Sequence, residues 1–321
     1  MTSNPDIFYA KVLLFGEYSI MCGSMALTIP YTHYKGELSF INEDKYTDYE
    51  FAIRSNRQLR EFYEFTDNLA GEGKLPCNLN LDQFRADLDA GLYFESTIPQ
   101  GYGVGSSGAV VAAIYQKYCP DYLKHDSDMS TGQLIRLKDI FSQFEVFFHG
   151  VSSGMDPLNC YIRRPLLIRS KEEINPVGIP REFSKNGGIF LINSHKTGKT
   201  EPLVNWFFDK CKSGEFMDFV KETMIKTTNA CIENLISGNI TRFFPNLKVL
   251  SEYTIQKLSR MVPEEFHDHW WNGIGTGLYN LKLCGSGGGG FILGFSEYLE
   301  ESRDYFRNHG VEIIPISKFL G

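Results

Sequence analysis

The chain has 321 residues, 42% of them hydrophobic and 14% aromatic, which is enough to bury a substantial core in one large domain or two intimate ones. Acidic residues outnumber basic ones by 39 to 32, for a net charge of −7, which excludes the basic stripe that general nucleic-acid binding requires. Seven cysteines without a C-x-x-C pair, no apolar run of membrane-spanning length and no signal-peptide pattern at the start lead to the expectation of a reduced, cytoplasmic protein without membrane association.

From the N-terminus, residues 8–15 are apolar and β-rich and run into Gly16-Glu17, which predicts a strand entering a turn, with a second strand over 25–30. Weak alternation over 36–53 predicts solvent-facing antiparallel strands, and the polar stretch 56–70 predicts a helix. Residues 92–98 form a strand candidate that enters Pro99-Gln100-Gly101-Tyr102-Gly103-Val104-Gly105-Ser106-Ser107-Gly108, and the small apolar stretch 109–117 predicts a buried helix behind it. A helix over 131–148 is broken at 150–154, and a strand at 166–169 leads to a polar connection with Pro176 and Pro180 that marks a domain boundary. Beyond it come a strand at 188–193, helices at 216–235 and 241–261, and strands at 279–284 and 291–295 around the glycine loop 285–290. Antiparallel strands mixed with helices predict an α+β fold rather than a doubly wound parallel sheet.

A bound phosphate needs backbone N–H donors aimed at it, and a glycine-rich turn feeding a helix N-terminus supplies them with the positive end of the helix dipole. Residues 103–108 have that composition in that context, and Ser106 and Ser107 add hydroxyls able to touch phosphate or magnesium. The loop lacks the G-K-[ST] ending of a Walker A sequence and the downstream acidic residue of a Rossmann fingerprint. Read alone, it is equally well a tight structural turn before a helix. The run Lys282-Leu283-Cys284-Gly285-Ser286-Gly287-Gly288-Gly289-Gly290 is costly to order, so it belongs where a ligand or another backbone comes very close, with a flexible hairpin as the other reading.

Glu145, followed by Phe148-His149-Gly150-Val151-Ser152-Ser153-Gly154-Met155-Asp156, offers two carboxylates one helix end apart. Phosphoryl transfer from MgATP calls for a metal-binding carboxylate, a second group for the acceptor hydroxyl, and a cation. In isolation Glu145 reads as a solvated helix residue, Asp156 as a turn former and Lys11 as a charge at the start of the first strand. His267-Asp268-His269 reads as a surface turn before Trp270-Trp271 rather than a metal site.

Taken together, these segments resemble the GHMP kinase family, named for galactokinase, homoserine kinase, mevalonate kinase and phosphomevalonate kinase. The resemblance lies in three ordered motifs: Lys11-Val12-Leu13-Leu14-Phe15-Gly16-Glu17, the loop from Pro99 to Ser107, and the run from Lys282 to Gly290. It implies a two-lobed α+β fold with antiparallel sheets and packed helices, an N-terminal domain at 1–170, a C-terminal domain at 171–321 and an active site in the cleft between the lobes. Within the family the segment from Glu145 to Asp156 is most similar to mevalonate kinase, which implies ATP-dependent phosphorylation of the primary hydroxyl of mevalonate. By the same likeness Asp156 and Lys11 act on the acceptor hydroxyl, and Ser107 and Glu145 hold Mg2+. ATP is held by Pro99, Gly101, Gly103, Gly105, Ser106, Ser107, Gly108, Gly285, Gly287 and Gly288, and the substrate by Glu17, Tyr18, His149, Ser153 and Thr200. Tyr18 stands where mevalonate kinases carry histidine and Gly108 where many carry alanine, both as in phosphomevalonate kinases, and Cys284 replaces a usual threonine. The alternatives are therefore phosphomevalonate or a sugar as acceptor, with Arg163, Arg164, His195, Lys196 and Lys199 as candidate cations, or a ligand-binding regulator without catalysis. The implied partners are a small-molecule acceptor and, as an option the sequence leaves open, a second copy of the chain in a homodimer.

Overall fold

The computed structural model describes residues 6–42, 48–125, 129–180, 186–198 and 200–316. In chain order its elements are β1 (Phe8–Phe15), a 3-10 turn (Ser19–Cys22), β2 (Ala26–Phe40), α1 (Tyr49–Gly71), α2 (Leu81–Asp89), β3 (Leu92–Ser96), α3 (Ser106–Tyr118), α4 (Thr131–His149), α5 (Met155–Ile162), β4 (Leu166–Ser170), β5 (Glu173–Pro176) and β6 (Gly188–Asn193). Then come α6 (Thr200–Cys211), α7 (Gly214–Phe219), a π-helical turn (Val220–Ile225), α8 (Lys226–Ile236), α9 (Ile240–Lys257), α10 (His267–Thr276), β7 (Asn280–Leu283), β8 (Phe291–Ser296), α11 (Leu299–Asn308) and β9 (Ile313–Pro315). The pairings of β2 with β3 and β4, of β4 with β5, and of β6 with β8 and β9 are antiparallel, as is that of β7 with β8, so the mixed α+β reading holds. Among the described residues no helix is long and apolar enough to cross a membrane, and all seven cysteines are free thiols.

Several local expectations change. Strand structure does not continue to residue 53: β2 ends at Phe40, and α1 begins at Tyr49, where Asp48 caps it by accepting from the Phe51 amide at 3.0 Å. The single helix expected over 216–235 is α7, a π-helical turn and α8 in succession. His267 opens α10 instead of lying in a turn, and Trp270, three residues on, is buried and donates to the Ser251 carbonyl of α9 at 3.0 Å. Asp156 is the second residue of α5, so it sits in a first helical turn rather than a free loop turn. Lys11 lies within β1, not at its start.

Two compact units divide the chain. Unit 1 comprises residues 1–11, 32–99 and 105–163, and unit 2 comprises 12–31, 100–104 and 164–321. In unit 1 the end of β2 pairs with β3 in the register Gly36↔Ser96 to Phe40↔Leu92. α1 is laced to β3 by Ser55, which takes the Phe94 amide at 2.9 Å, and by Asn56, which donates to the Leu92 carbonyl at 2.6 Å. α3 is small and apolar from Gly108 to Ile114 and is buried there. Tyr115, Phe141 and Tyr161 meet edge to face at 5.1–5.5 Å between α3, α4 and α5, fixing the three helices on which the candidate site is mounted.

Unit 2 contains a four-stranded sheet in the order β7-β8-β6-β9, together with β4, β5 and the first part of β2. β6 and β8 are buried on both faces, as continuous apolar strands must be. Phe15 of β1 stacks on Phe295 of β8 at 5.5 Å and meets Phe243 of α9 edge-on at 6.0 Å.

Candidate active site

In unit 1, α3 begins at Ser106 directly behind Gly105, whose φ of +81° and missing side chain leave the helix without a side-chain cap. The first-turn amides of α3 are thereby presented with the helix dipole to an anion. Gly108 is needed for a different reason. A Cβ there would lie 2.7 Å from the Pro157 nitrogen and 2.8 Å from the Asp156 carbonyl carbon, so glycine lets α3 and α5 touch backbone to backbone. That contact sets Asp156 beside the phosphate loop.

Asp156 and Lys11 form an ion pair, Nζ to Oδ2 3.0 Å, in which the lysine side chain is 6% exposed and the aspartate 42%. A buried ammonium thus holds a carboxylate that still faces outward. The bland alternative, a strand-end lysine in solvent, is excluded by that burial.

Glu145 occupies the buried stripe of α4 with Leu134, Leu137, Phe141 and Phe144, so it is only 4% exposed and is not the solvated helix residue expected of it in isolation. Ser107 Oγ donates to its Oε1 at 3.2 Å and lies 2.9 Å from His149 Nε2, while Ser152 Oγ donates to Oε2. Burial pushes the Glu145 carboxyl up to about 7, the Asp156 charge adds to that, and the bonds from Ser152 and Ser107, with the Lys11 charge, act in the opposite direction. A hard divalent cation suits this donor set: carboxylate and hydroxyl oxygens, and more negative charge than Lys11 balances. Magnesium characteristically takes one or two protein carboxylates with the rest from water and phosphate.

The raised carboxyl has a measurable consequence. In the unfolded chain Glu145 ionises near the ordinary glutamate value of 4.5, whereas burial in the fold pushes it up to about 7. The native state binds the extra proton between those values, so in EDTA its stability should fall as pH rises through that window. Glu145→Gln removes the penalty and should stabilise the metal-free protein by on the order of 2–3 kcal/mol above pH 7 and by little at pH 4. Denaturant midpoints of both proteins across that range test it; equal pH profiles would contradict the assigned burial cost.

Unit 2 holds a second constellation. Glu17 and Lys282 form an ion pair whose side chains are 9% and 1% exposed, and the Lys282 ammonium also donates to the Leu283 carbonyl at 2.6 Å and lies 5.4 Å over the Phe15 ring. Tyr18 packs against Phe207 with ring centroids 4.9 Å apart and planes tilted by 41°, and donates to the Ser286 carbonyl at 2.6 Å; burial first, and then the Glu17 charge, push its hydroxyl pKa up. Ser286 Oγ in turn lies 3.0 Å from Thr200 Oγ1 at the start of α6. The glycine run has positive φ at 285, 287, 288, 289 and 290. Close backbone neighbours explain part of it: the Gly288 amide donates to the Met261 carbonyl and the Gly290 amide to the Lys196 carbonyl, both at 2.6 Å. Within this unit the run abuts the first half of the phosphate loop, since a Cβ on Gly103 would lie 3.5 Å from the Cys284 carbonyl and one on Gly290 3.0 Å from Tyr102 Cα.

Of the residues singled out from sequence, unit 1 brings together Lys11, Asp156, Glu145, Ser107, Gly108 and His149, while Ser153 Oγ accepts the Met155 amide at 3.4 Å at the start of α5. Unit 2 joins Glu17 and Tyr18 to the third glycine motif and Thr200 to Ser286. Pro99 belongs to the residues of unit 1 that precede the loop, and Gly101 has φ +77° within it. Lys199 lies outside the described residues. Two contributors escape a sequence reading: Ser152 as a partner of Glu145, and Lys282 as the partner of Glu17. The signal for the second was a lysine on an otherwise apolar strand, Asn280–Leu283.

Residues 76–163, which carry the phosphate loop, Glu145 and Asp156, match the family model for the GHMP kinases N terminal domain. This segment is therefore similar to the N-terminal domain of the GHMP kinases. The fold agrees over nearly the whole chain. The GHMP-type structures similar to it include an L. major mevalonate kinase in complex with R-mevalonate, at 17% identity and TM-score 0.60 over 92% of this chain and 88% of that one. The Methanococcus jannaschii mevalonate kinase is similar at 19% identity and TM-score 0.60 over 96% of each chain. A Streptococcus pneumoniae phosphomevalonate kinase in complex with phosphomevalonate and AMPPNP is similar at 14% identity and TM-score 0.61 over 97% of this chain and 99% of that one. At these identities the likeness establishes the GHMP kinase fold. No curated protein matches the chain.

Proposed function

We propose that this chain is a GHMP kinase that transfers the γ-phosphoryl group of ATP to the primary hydroxyl of mevalonate, giving 5-phosphomevalonate and ADP in isoprenoid precursor synthesis in the cytoplasm. The observation that carries the reading is the Lys11–Asp156 pair at 3.0 Å, with its carboxylate open to an acceptor, one helix contact away from the phosphate loop. In this reading Asp156 Oδ takes or orients the acceptor's hydroxyl proton and Lys11 Nζ stabilises the charged carboxylate. The first-turn amides of α3 and the loop residues from Pro99 to Gly108 hold the phosphates, with Gly285, Gly287 and Gly288 of the third motif assigned to the nucleotide. Ser107 Oγ and the Glu145 carboxylate hold Mg2+, which when bound neutralises charge on the phosphate oxygens. The phosphate loop falls in residues 1–170 and the third motif in 171–321, the division we propose for the functional halves.

Among the substrate positions, His149 and Ser153 flank Glu145 and Asp156, and Thr200 stands beside Ser286. Glu17 and Tyr18 are engaged with the third glycine motif, and we assign them to holding it. Two of the candidate cations are engaged elsewhere, Lys196 with Glu265 at 2.7 Å and Arg163 5.0 Å over the Phe8 ring, which supports an unphosphorylated acceptor. The contact of Gly108 with α5 gives that glycine a packing reason independent of the acceptor. Retention of Asp156, Lys11 and Glu145 together supports an enzyme over a regulator.

ADP release measured in parallel with mevalonate, phosphomevalonate, galactose and homoserine tests the assignment. Mevalonate should be turned over and the others much more slowly. Preferential turnover of phosphomevalonate or galactose would replace the acceptor, and no release with any of them would remove the kinase reading.

A further inference from the structure

Ser152 makes two bonds that nothing in the proposed chemistry requires of it. Its hydroxyl donates to Glu145 Oε2, and its oxygen accepts the Gly154 amide at 2.9 Å. Gly154 is the N-cap of α5, in left-handed conformation at φ +71°, and a Cβ there would lie 2.8 Å from the Ser142 amide nitrogen of α4, so the turn is pressed against the helix that carries Glu145. Two residues beyond the cap is Asp156, paired with Lys11. One hydroxyl therefore spans the end of α4 and the start of α5, donating to one and accepting from the other.

We propose that Ser152 is a positioning residue that, through its bond to Oε2, holds the Glu145 carboxylate in the orientation for Mg2+ and keeps it in register with the helix turn bearing Asp156. The inference rests on the reading of Ser107 and Glu145 as the magnesium ligands. Physically, a buried carboxylate with one oxygen bonded to Ser107 can still rotate about its terminal torsion; the second bond removes that freedom. Partners of this kind around a metal ligand are worth about 10- to 100-fold in metal affinity. Threonine keeps both the donor and the acceptor, while alanine loses both.

The test uses the full chain as wild type, Ser152→Ala and Ser152→Thr. Calorimetry of AMPPNP binding at increasing Mg2+ gives the Mg2+ concentration at half-saturation. Hydrogen–deuterium exchange of the peptide containing Gly154 reads the turn without metal. Ser152→Ala should need about tenfold more Mg2+, with AMPPNP affinity at saturating Mg2+ unchanged and faster exchange at Gly154, and Ser152→Thr should behave as wild type. An unshifted Mg2+ dependence in the alanine variant, equal losses in both variants, or unchanged exchange would each overturn the proposal. If wild-type AMPPNP binding is itself indifferent to Mg2+, the magnesium reading falls and this proposal with it. Mg2+-dependent binding without ADP release from mevalonate would instead count only against the acceptor.

Discussion

Asp156→Asn should lower turnover by about 10²- to 10⁴-fold, the range for loss of a positioned general base, while leaving Mg2+-dependent nucleotide binding intact. The Asp156 side chain is 42% exposed while Lys11 is 6% exposed, so the charge can be offered to an acceptor without carrying the ammonium into solvent. Asparagine keeps the size of the side chain and the helix position but cannot take a proton. Because α5 contacts α3 through backbone at Gly108, the substitution should not disturb the phosphate loop. Steady-state ADP release together with AMPPNP calorimetry separates the outcomes. Turnover near the wild-type value would remove Asp156 from the chemistry, and an equal loss of nucleotide binding would make it a structural residue.

The second large effect is on stability. Lys282→Met should cost on the order of 3–5 kcal/mol, because it strands the buried Glu17 carboxylate without the cation that faces it. That is a large part of the 5–15 kcal/mol that holds a typical domain together. Much of the loss comes from the abandoned charge and not from the missing bond, so Lys282→Met with Glu17→Gln should recover a substantial share. Urea denaturation of the wild type, the single variant and the double variant measures both terms. A single variant as stable as the wild type would mean that the carboxylate finds compensation elsewhere. A double variant no better than the single would mean that lysine packing, including its contact with Phe15, carries the stability.

The sequence made some of this legible because local chemistry and tertiary role coincide. The order strand, glycine loop, apolar helix is written in residues 92–118, and β3 and α3 appear where it puts them. Glu145 was visible as a carboxylate but not as a buried one, although its spacing from Leu134, Leu137 and Phe141 put it at the edge of the apolar stripe. Asp156 was misread as a turn residue because Ser153-Gly154 precedes it; the glycine is in fact a helix N-cap, and a proline in a first turn is compatible with helix. Residues 49–53 look β-like from their aromatic and apolar members, and only the Asp48 cap, a weak signal at short range, marks the helix start. The pairings Glu17–Lys282 and Tyr18–Ser286 span the length of the chain, and no local pattern encodes contacts of that separation.

Pro157 gives the site a further property. It follows Asp156 directly in the first turn of α5, where its missing N–H costs no helix bond and its ring fixes the backbone. The ion pair with Lys11 of β1 at 3.0 Å further restrains the carboxylate. In the proposed reaction, part of the entropy of ordering this group is thus already spent in folding.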